Sequence, residues 1–235
     1  MSAAASLRLV FTQISDAFMR ANPQAQVTLN FASSSQLSEQ IKQGAPVQIA
    51  AFADLESMTE LSAARLILEP AQAFARNQLA LVTQSNAKDK VSSLAELADL
   101  ADVSTIAMCV VTAPCGKYAE QALATAGVRI PESRITRGTD ASTTLRAVTE
   151  GDAVAGIVYV TDALAALSAQ GSPNSAQQVL SVPIDAKYNV DSTYWIAQVG
   201  KSTDDSNNAL SRAFIEFILS KPGQKFLSQA GFLLP

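Results

Sequence analysis

With 235 residues, 48% of them hydrophobic and 16% charged, the chain can bury one large core or two smaller ones, and its composition excludes a disordered polypeptide. A net charge of −4 argues against a nucleic-acid surface, and the absence of histidine removes the commonest general base and metal ligand. Two cysteines are too few for a cysteine-built zinc site, and no apolar run reaches membrane-spanning length. No secretory leader is visible, which leaves export open.

Helical and strand-like patterns alternate along the chain, which predicts an α/β architecture. Leu7, Val10, Phe11, Ile14 and Phe18 fall on helical spacing, and Val27, Leu29 and Phe31 alternate as in a strand. A second helix runs through Leu37 and Ile41 until Gly44 and Pro46 stop it. Residues 49–52 form a short apolar run, and Asp54 is placed to cap the helix after it. Further strands are expected at 78–83, 105–111, 155–159, 179–182 and 193–199. Helices are expected at 93–100, 115–126, 140–150, from Thr161 onward, and at 207–219 and 223–229. Two polar stretches, 84–91 and 185–192, read as crossings between two lobes. The expected division is therefore 1–81 with 187–235 as a discontinuous first lobe, and 82–186 as the second.

Four helix starts are built alike from small residues, with Ser6 before Leu7, Ser34 before Gln36, Pro114-Cys115-Gly116, and Asp140-Ala141-Ser142. A helix start exposes N–H groups without intrahelical acceptors and carries a partial positive charge, so small hydroxyl-edged starts suit an oxyanion. A dianion entering a cleft loses its hydration shell and needs replacement donors. The plainer reading of each serine is a helix cap. Tyr159, at the end of an apolar strand, can turn its hydroxyl to a ligand at the carboxyl edge of an α/β sheet, or pack as an ordinary aromatic. Cys109 reads as an inert buried thiol. Cys115, at a helix start, favours a thiolate but lacks a histidine partner. A short disulfide between the two requires an oxidising compartment. Lys42, Arg137 and Arg146 are expected to serve as solvated surface charges, and Asp140 as a helix-start residue turned away from any ligand.

Taken together, these segments resemble the molybdate-binding proteins of ABC importers. Ala3-Ala4-Ala5-Ser6-Leu7 and Phe31-Ala32-Ser33-Ser34-Ser35 are similar to that family's two serine loops, and Gly156-Ile157-Val158-Tyr159 with Thr161-Asp162-Ala163 to its tyrosine motif. Residues 40–46 with Ala53-Asp54, and the terminal pattern around Phe217-Ile218-Leu219-Ser220, Pro222-Gly223-Gln224 and Gly231-Phe232, extend the likeness over nearly the whole chain. The resemblance implies a two-lobed α/β periplasmic-binding fold of type II, with the ligand in the cleft between the lobes. It implies an extracytoplasmic solute-binding protein, free or lipid-anchored, that captures molybdate or tungstate and delivers it to a membrane permease. The protein would be a monomer and not an enzyme, with no cofactor, no directly bound metal cation and no nucleic-acid partner. The ligand set carried over is Ser6, Ser34, Cys115, Ala141 and Tyr159.

Other readings are a site for another tetrahedral oxyanion such as sulfate, the effector-binding half of a transcription regulator, or an enzyme using Cys115 or a serine of the 33–35 run. Against the last stand the missing histidine and the lack of a Gly-x-Ser-x-Gly elbow. Four departures from the family pattern stand out: only Met1 and Ser2 precede the first serine loop, Gln48 replaces a frequent aspartate, Trp195 replaces a frequent proline, and Cys115 brings bulk to a small-residue position.

Overall fold

The computed structural model describes residues 1–100, 104–169, 178–200 and 205–235. Among these residues the strands are β1 (Ser2–Ala4), β2 (Asn30–Ala32), β3 (Ile49–Phe52), β4 (Gln72–Asn77), β5 (Leu79–Gln84), β6 (Ile106–Cys109), β7 (Ile135–Gly138), β8 (Ala155–Tyr159), β9 (Val179–Pro183) and β10 (Ser192–Gln198). The helices are α1 (Arg8–Ala21), α2 (Ser34–Lys42), α3 (Leu55–Ala63), α4 (Leu94–Asp99), α5 (Pro114–Ala126), α6 (Ala141–Thr149), α7 (Val160–Ala169), α8 (Asp205–Leu219) and α9 (Lys221–Gln229). No helix among the described residues is long and apolar enough to cross a membrane.

The chain divides into two compact units, Met1–Arg76 with Ser192–Pro235, and Asn77–Asp191. The changeovers fall at 76–77 and 191–192. The stretch 84–91 therefore lies inside the second unit, where Ser85–Lys90 forms a 3-10 helix.

The first unit is built on a sheet ordered β2-β1-β3-β10-β4. β1 is flanked by two parallel neighbours, with Ser2 opposite both Asn30 and Ala50, and β10 runs antiparallel to β3, with Trp195 opposite Phe52. α1 turns Val10, Phe11, Ile14 and Phe18 inward, as its helical spacing requires. Aromatic pairs join α1 to α8 and to β4, and β10 to the C-terminal end of the chain. Phe18 lies edge-on to Phe214 of α8 at 5.0 Å, Phe11 lies 5.7 Å from Phe74, and Tyr194 lies edge-on to Phe232 at 5.3 Å. Aromatic burial thus fastens the returning segment to the sheet. β1 has three residues, yet all three are buried, inside the sheet between β2 and β3. Trp195 packs on the cluster of Leu37, Phe52, Met58 and Leu61, which gives that departure from the family pattern a structural role, whereas Gln48 contributes its backbone carbonyl, which accepts the Val199 N–H at 2.8 Å as any residue's would.

The second unit carries a sheet ordered β7-β6-β8-β5-β9. β6 runs parallel to β7 and β8, whereas β5 runs antiparallel to both β8 and β9. Val148 of α6 packs with Ala80, Val82, Ala107 and Val158 over this sheet. Gly156 permits that approach, because a Cβ there would come within 2.9 Å of the Val148 side chain.

Candidate functional site

In the first unit, the parallel register fixes where the residues beyond each strand emerge. Ala4 of β1 pairs with Ala32 of β2, and Ala3 pairs with Ala51 of β3. Parallel neighbours lie about 4.8 Å apart and end at one edge. Ser6, Ser34 and Ala53, each one or two residues past its strand, therefore lie at the same carboxyl edge.

Ser34 is the first residue of α2, and the cap is its neighbour Ser33. The Ser33 hydroxyl accepts the Gln36 N–H at 3.3 Å, and the Gln36 side chain accepts the Ser33 N–H at 3.4 Å. The capping reading of Ser34 is thereby replaced. Its Oγ instead accepts the backbone N–H of Ala53 at 2.9 Å, while the Ala53 carbonyl accepts the Ser192 hydroxyl at 2.7 Å. A serine hydroxyl has one proton and two lone pairs. Ser34 is thus held by its acceptor side and keeps its proton to give. Ser6 sits in the 3-10 turn Ala5–Leu7 and makes no cap bond. Its Oγ lies 2.8 Å from the hydroxyl of Tyr194, in buried surroundings.

In the second unit, Cys109 pairs with Gly138, which brings the ends of β6 and β7 level. Cys115 is the second residue of α5, and Ala141 is the first of α6. Pro114 has no N–H, and those of Gly116 and Lys117 bond the Ala113 carbonyl. The Cys115 N–H has no intrahelical acceptor. Asp140 caps α6 by accepting the Thr143 N–H at 2.8 Å, and the Thr144 N–H bonds the Asp140 carbonyl. The Ala141 and Ser142 N–H groups are left as the helix-start donors. Tyr159 closes β8, opposite Leu79 of β5.

Cys109 and Cys115 form a disulfide, with their Cα atoms 5.8 Å apart. The expected inert thiol at Cys109 is corrected by this bond. The bulk of Cys115 is drawn back onto the end of β6, and no thiolate is present to act as a nucleophile. The Thr144 hydroxyl lies 3.3 Å from Cys109 Sγ, which ties the start of α6 to the same staple. The arrangement needs Gly116, where a Cβ would meet the Val110 carbonyl oxygen at 2.1 Å.

The candidate ligand residues thus fall into two groups, Ser6 with Ser34 in the first unit and Cys115, Ala141 and Tyr159 in the second. All five are buried. The three cations weighed from the sequence are all paired, and Arg137 is not the solvated charge expected of it: it is largely buried and donates to the Cys109 carbonyl at 3.0 Å. Lys42 pairs with Glu39 and Glu60, Arg137 with Glu120 and Glu132, and Arg146 with Glu150. The Asp140 carboxylate is turned onto its own helix, where the Thr143 hydroxyl also bonds Oδ1 at 3.0 Å. A second carboxylate, Asp162 in the first turn of α7, is buried, and its Oδ2 has no hydrogen-bond partner among the described residues. Burial pushes its pKa up to about 7. The Tyr159 N–H opposes that rise and the charge of Asp140 adds to it. No cluster of potential metal ligands occurs among the described residues.

A cavity of about 440 Å³ lies at the opposite, amino edge of the first unit's sheet, where Met1, Ser2, Asn30, Val47 and Ile49 line it. None of the five candidate residues lines it. Sequence reasoning missed Ala53 and Tyr194. The second was findable, because Ser192, Tyr194 and Ile196 alternate inward along β10, and a buried tyrosine hydroxyl needs a polar partner.

Each α/β unit presents backbone and hydroxyl donors at the ends of its strands, an arrangement suited to binding an anion. The chain belongs to the family of bacterial extracellular solute-binding proteins, whose pattern matches residues 1–233. It is 32% identical over 234 residues to the molybdate-binding protein ModA of Mycobacterium tuberculosis, spanning 99% of this chain and 83% of that one. Among solved structures, the periplasmic molybdate-binding protein of Azotobacter vinelandii superposes with a TM-score of 0.82 at 20% identity, covering 100% of this chain and 98% of its own. The sulfate-binding protein SubI of M. tuberculosis does so with a TM-score of 0.83 at 16% identity, covering 98% and 84%. At those identities the two structures establish the periplasmic-binding fold.

Proposed function

We propose that this protein captures molybdate or tungstate outside the cytoplasm and delivers it to the permease of an ABC importer. The observation that carries this reading is the buried pair Ser6 and Ser34, at the ends of adjacent parallel strands, with the Ser34 oxygen already accepting the Ala53 N–H. Such hydroxyls suit a tetrahedral dianion that has no proton of its own to donate. The identity to a molybdate-binding relative over almost the full chain supports the same ligand.

Each unit contributes donors in this reading. Ser6 and Ser34 give hydroxyl and backbone N–H bonds, Cys115 and Ala141 give backbone N–H bonds at helix starts, and Tyr159 gives its hydroxyl. The anion's charge is met by hydrogen-bond dipoles and not by a lysine or arginine. The buried disulfide suits an oxidising extracytoplasmic compartment. The protein acts as a monomer, free or lipid-anchored, without a cofactor and without a nucleic-acid partner.

Titration calorimetry and thermal melting with molybdate, tungstate, sulfate and phosphate test the assignment. Molybdate and tungstate raise the melting temperature with concentration, because a ligand at a hundredfold excess over its dissociation constant adds about 2.7 kcal/mol. Phosphate, which keeps a proton at neutral pH and needs an acceptor, leaves the melting curve in place. A melting curve that molybdate and tungstate do not move rejects the function. Stronger binding of sulfate redirects it to that anion.

A further inference from the structure

Ser6 and Ser34 occupy matching places beyond adjacent strands, but they are held by different partners. The partner of Ser34 is a backbone N–H, which can only donate. The partner of Ser6 is a phenol, and either hydroxyl in that 2.8 Å contact can supply the proton. The polarity of this one bond decides whether Ser6 faces a ligand as a donor or as an acceptor. A phenol is far more acidic than an alcohol, and so the better donor and the poorer acceptor. Tyr194 is fully buried and its ring is wedged against Phe74 and Phe232, so its oxygen is fixed in position.

We propose that Tyr194 donates to Ser6 Oγ, turns the Ser6 proton outward, and so makes Tyr194 a specificity-determining residue of the oxyanion site. This inference rests on the oxyanion reading of the preceding subsection. With Ser6 held by Tyr194 and Ser34 held by the Ala53 N–H, one lone pair of each serine is occupied and each proton is committed to the ligand. A fully ionised guest accepts both. A guest that carries a proton finds a site already filled with protons. The bonds also reinforce one another, since a hydroxyl that accepts from a phenol becomes a stronger donor to an anion.

The test is a double-mutant cycle read by titration calorimetry on the intact chain, with Tyr194→Phe, Ser6→Ala and the pair of them. Phenylalanine keeps the ring contacts, and the melting temperature of the unliganded variant checks the fold. In the Ser6 background, Tyr194→Phe weakens molybdate binding roughly tenfold, the scale of one hydrogen bond to a charged group. In the Ser6→Ala background the same change alters it less than about twofold. Competition provides the second readout. In Tyr194→Phe, phosphate displaces bound molybdate more readily than the weaker molybdate affinity alone accounts for, because Ser6 Oγ is released to accept. An equal loss in both backgrounds, or an unchanged molybdate-to-phosphate ratio, overturns the role of Tyr194 and leaves the function standing. A wild-type protein that binds no oxyanion overturns both together.

Discussion

In both units the proposed donors stand at the carboxyl ends of parallel strands, but the two units make them differently. In the first unit the proposed donors are side-chain hydroxyls, each with a partner behind it: the Ala53 N–H for Ser34 and the Tyr194 hydroxyl, 2.8 Å away, for Ser6. In the second unit, Tyr159 apart, the donors are backbone N–H groups. They are held by a disulfide, a proline at the first position of α5 and the Asp140 cap on α6. A hydroxyl donor can be deleted by one substitution. A backbone donor survives any side-chain change that leaves its helix start in place. On the proposed ligand set, single substitutions in the first unit strike binding, while those at the helix starts of the second strike stability.

This contrast can be broken most directly at Ser34. In Ser34→Ala, calorimetry should show molybdate binding weaker by roughly 1.5–3 kcal/mol, because a donor to a buried charge is lost and the Ala53 N–H is left without its acceptor. An unchanged affinity removes Ser34 from the site. In the second unit, Gly116→Ala should cost about 1–3 kcal/mol of folding stability, measured by urea denaturation, because the new methyl group has the Val110 carbonyl in its way. Replacing both Cys109 and Cys115 by serine should lower stability by about 2 kcal/mol, the chain-entropy value for so short a loop, with a smaller effect on molybdate affinity. If that double variant loses binding as strongly as Ser34→Ala, the proposed contrast between side-chain and backbone donors fails.

The smallest effect concerns pH. Asp162 has a folded-state pKa raised to about 7 from an ordinary value of 3.8. Between those values the native state holds a proton that the unfolded chain has released, so this group's contribution falls as pH rises through the window. Asp162→Asn should flatten the decline in melting temperature between about pH 4 and 7. A decline identical to that of the parent protein assigns it to other groups.

Much of the fold was legible because its apolar periods are local. The expected strand over Ala155–Tyr159 matches β8 at both ends, and the expected C-terminal helices differ from α8 and α9 only at their N-terminal boundaries. β4 and β7 were not anticipated. Gln72–Asn77 and Ile135–Gly138 mix polar and charged residues at a sheet edge, where one neighbour is enough and apolar alternation is not required. The alternation of Val27, Leu29 and Phe31 announced a longer strand than the Asn30–Ala32 that forms, because β1 supplies only three partner residues. The candidate ligand residues were named largely through family likeness, since a serine before a helix looks the same whether it caps or binds.

By itself, then, the sequence determined the alternation of helices and strands, the small-residue helix starts and the absence of histidine, since each depends on residue type and short-range spacing. Tertiary structure decided that Ser33 caps α2 in place of Ser34, that Cys109 and Cys115 are joined, and that Tyr194, 188 residues from Ser6, lies within hydrogen-bonding distance of it. The direction in which a hydroxyl points depends on what stands behind it, and only the folded chain brings that neighbour into place.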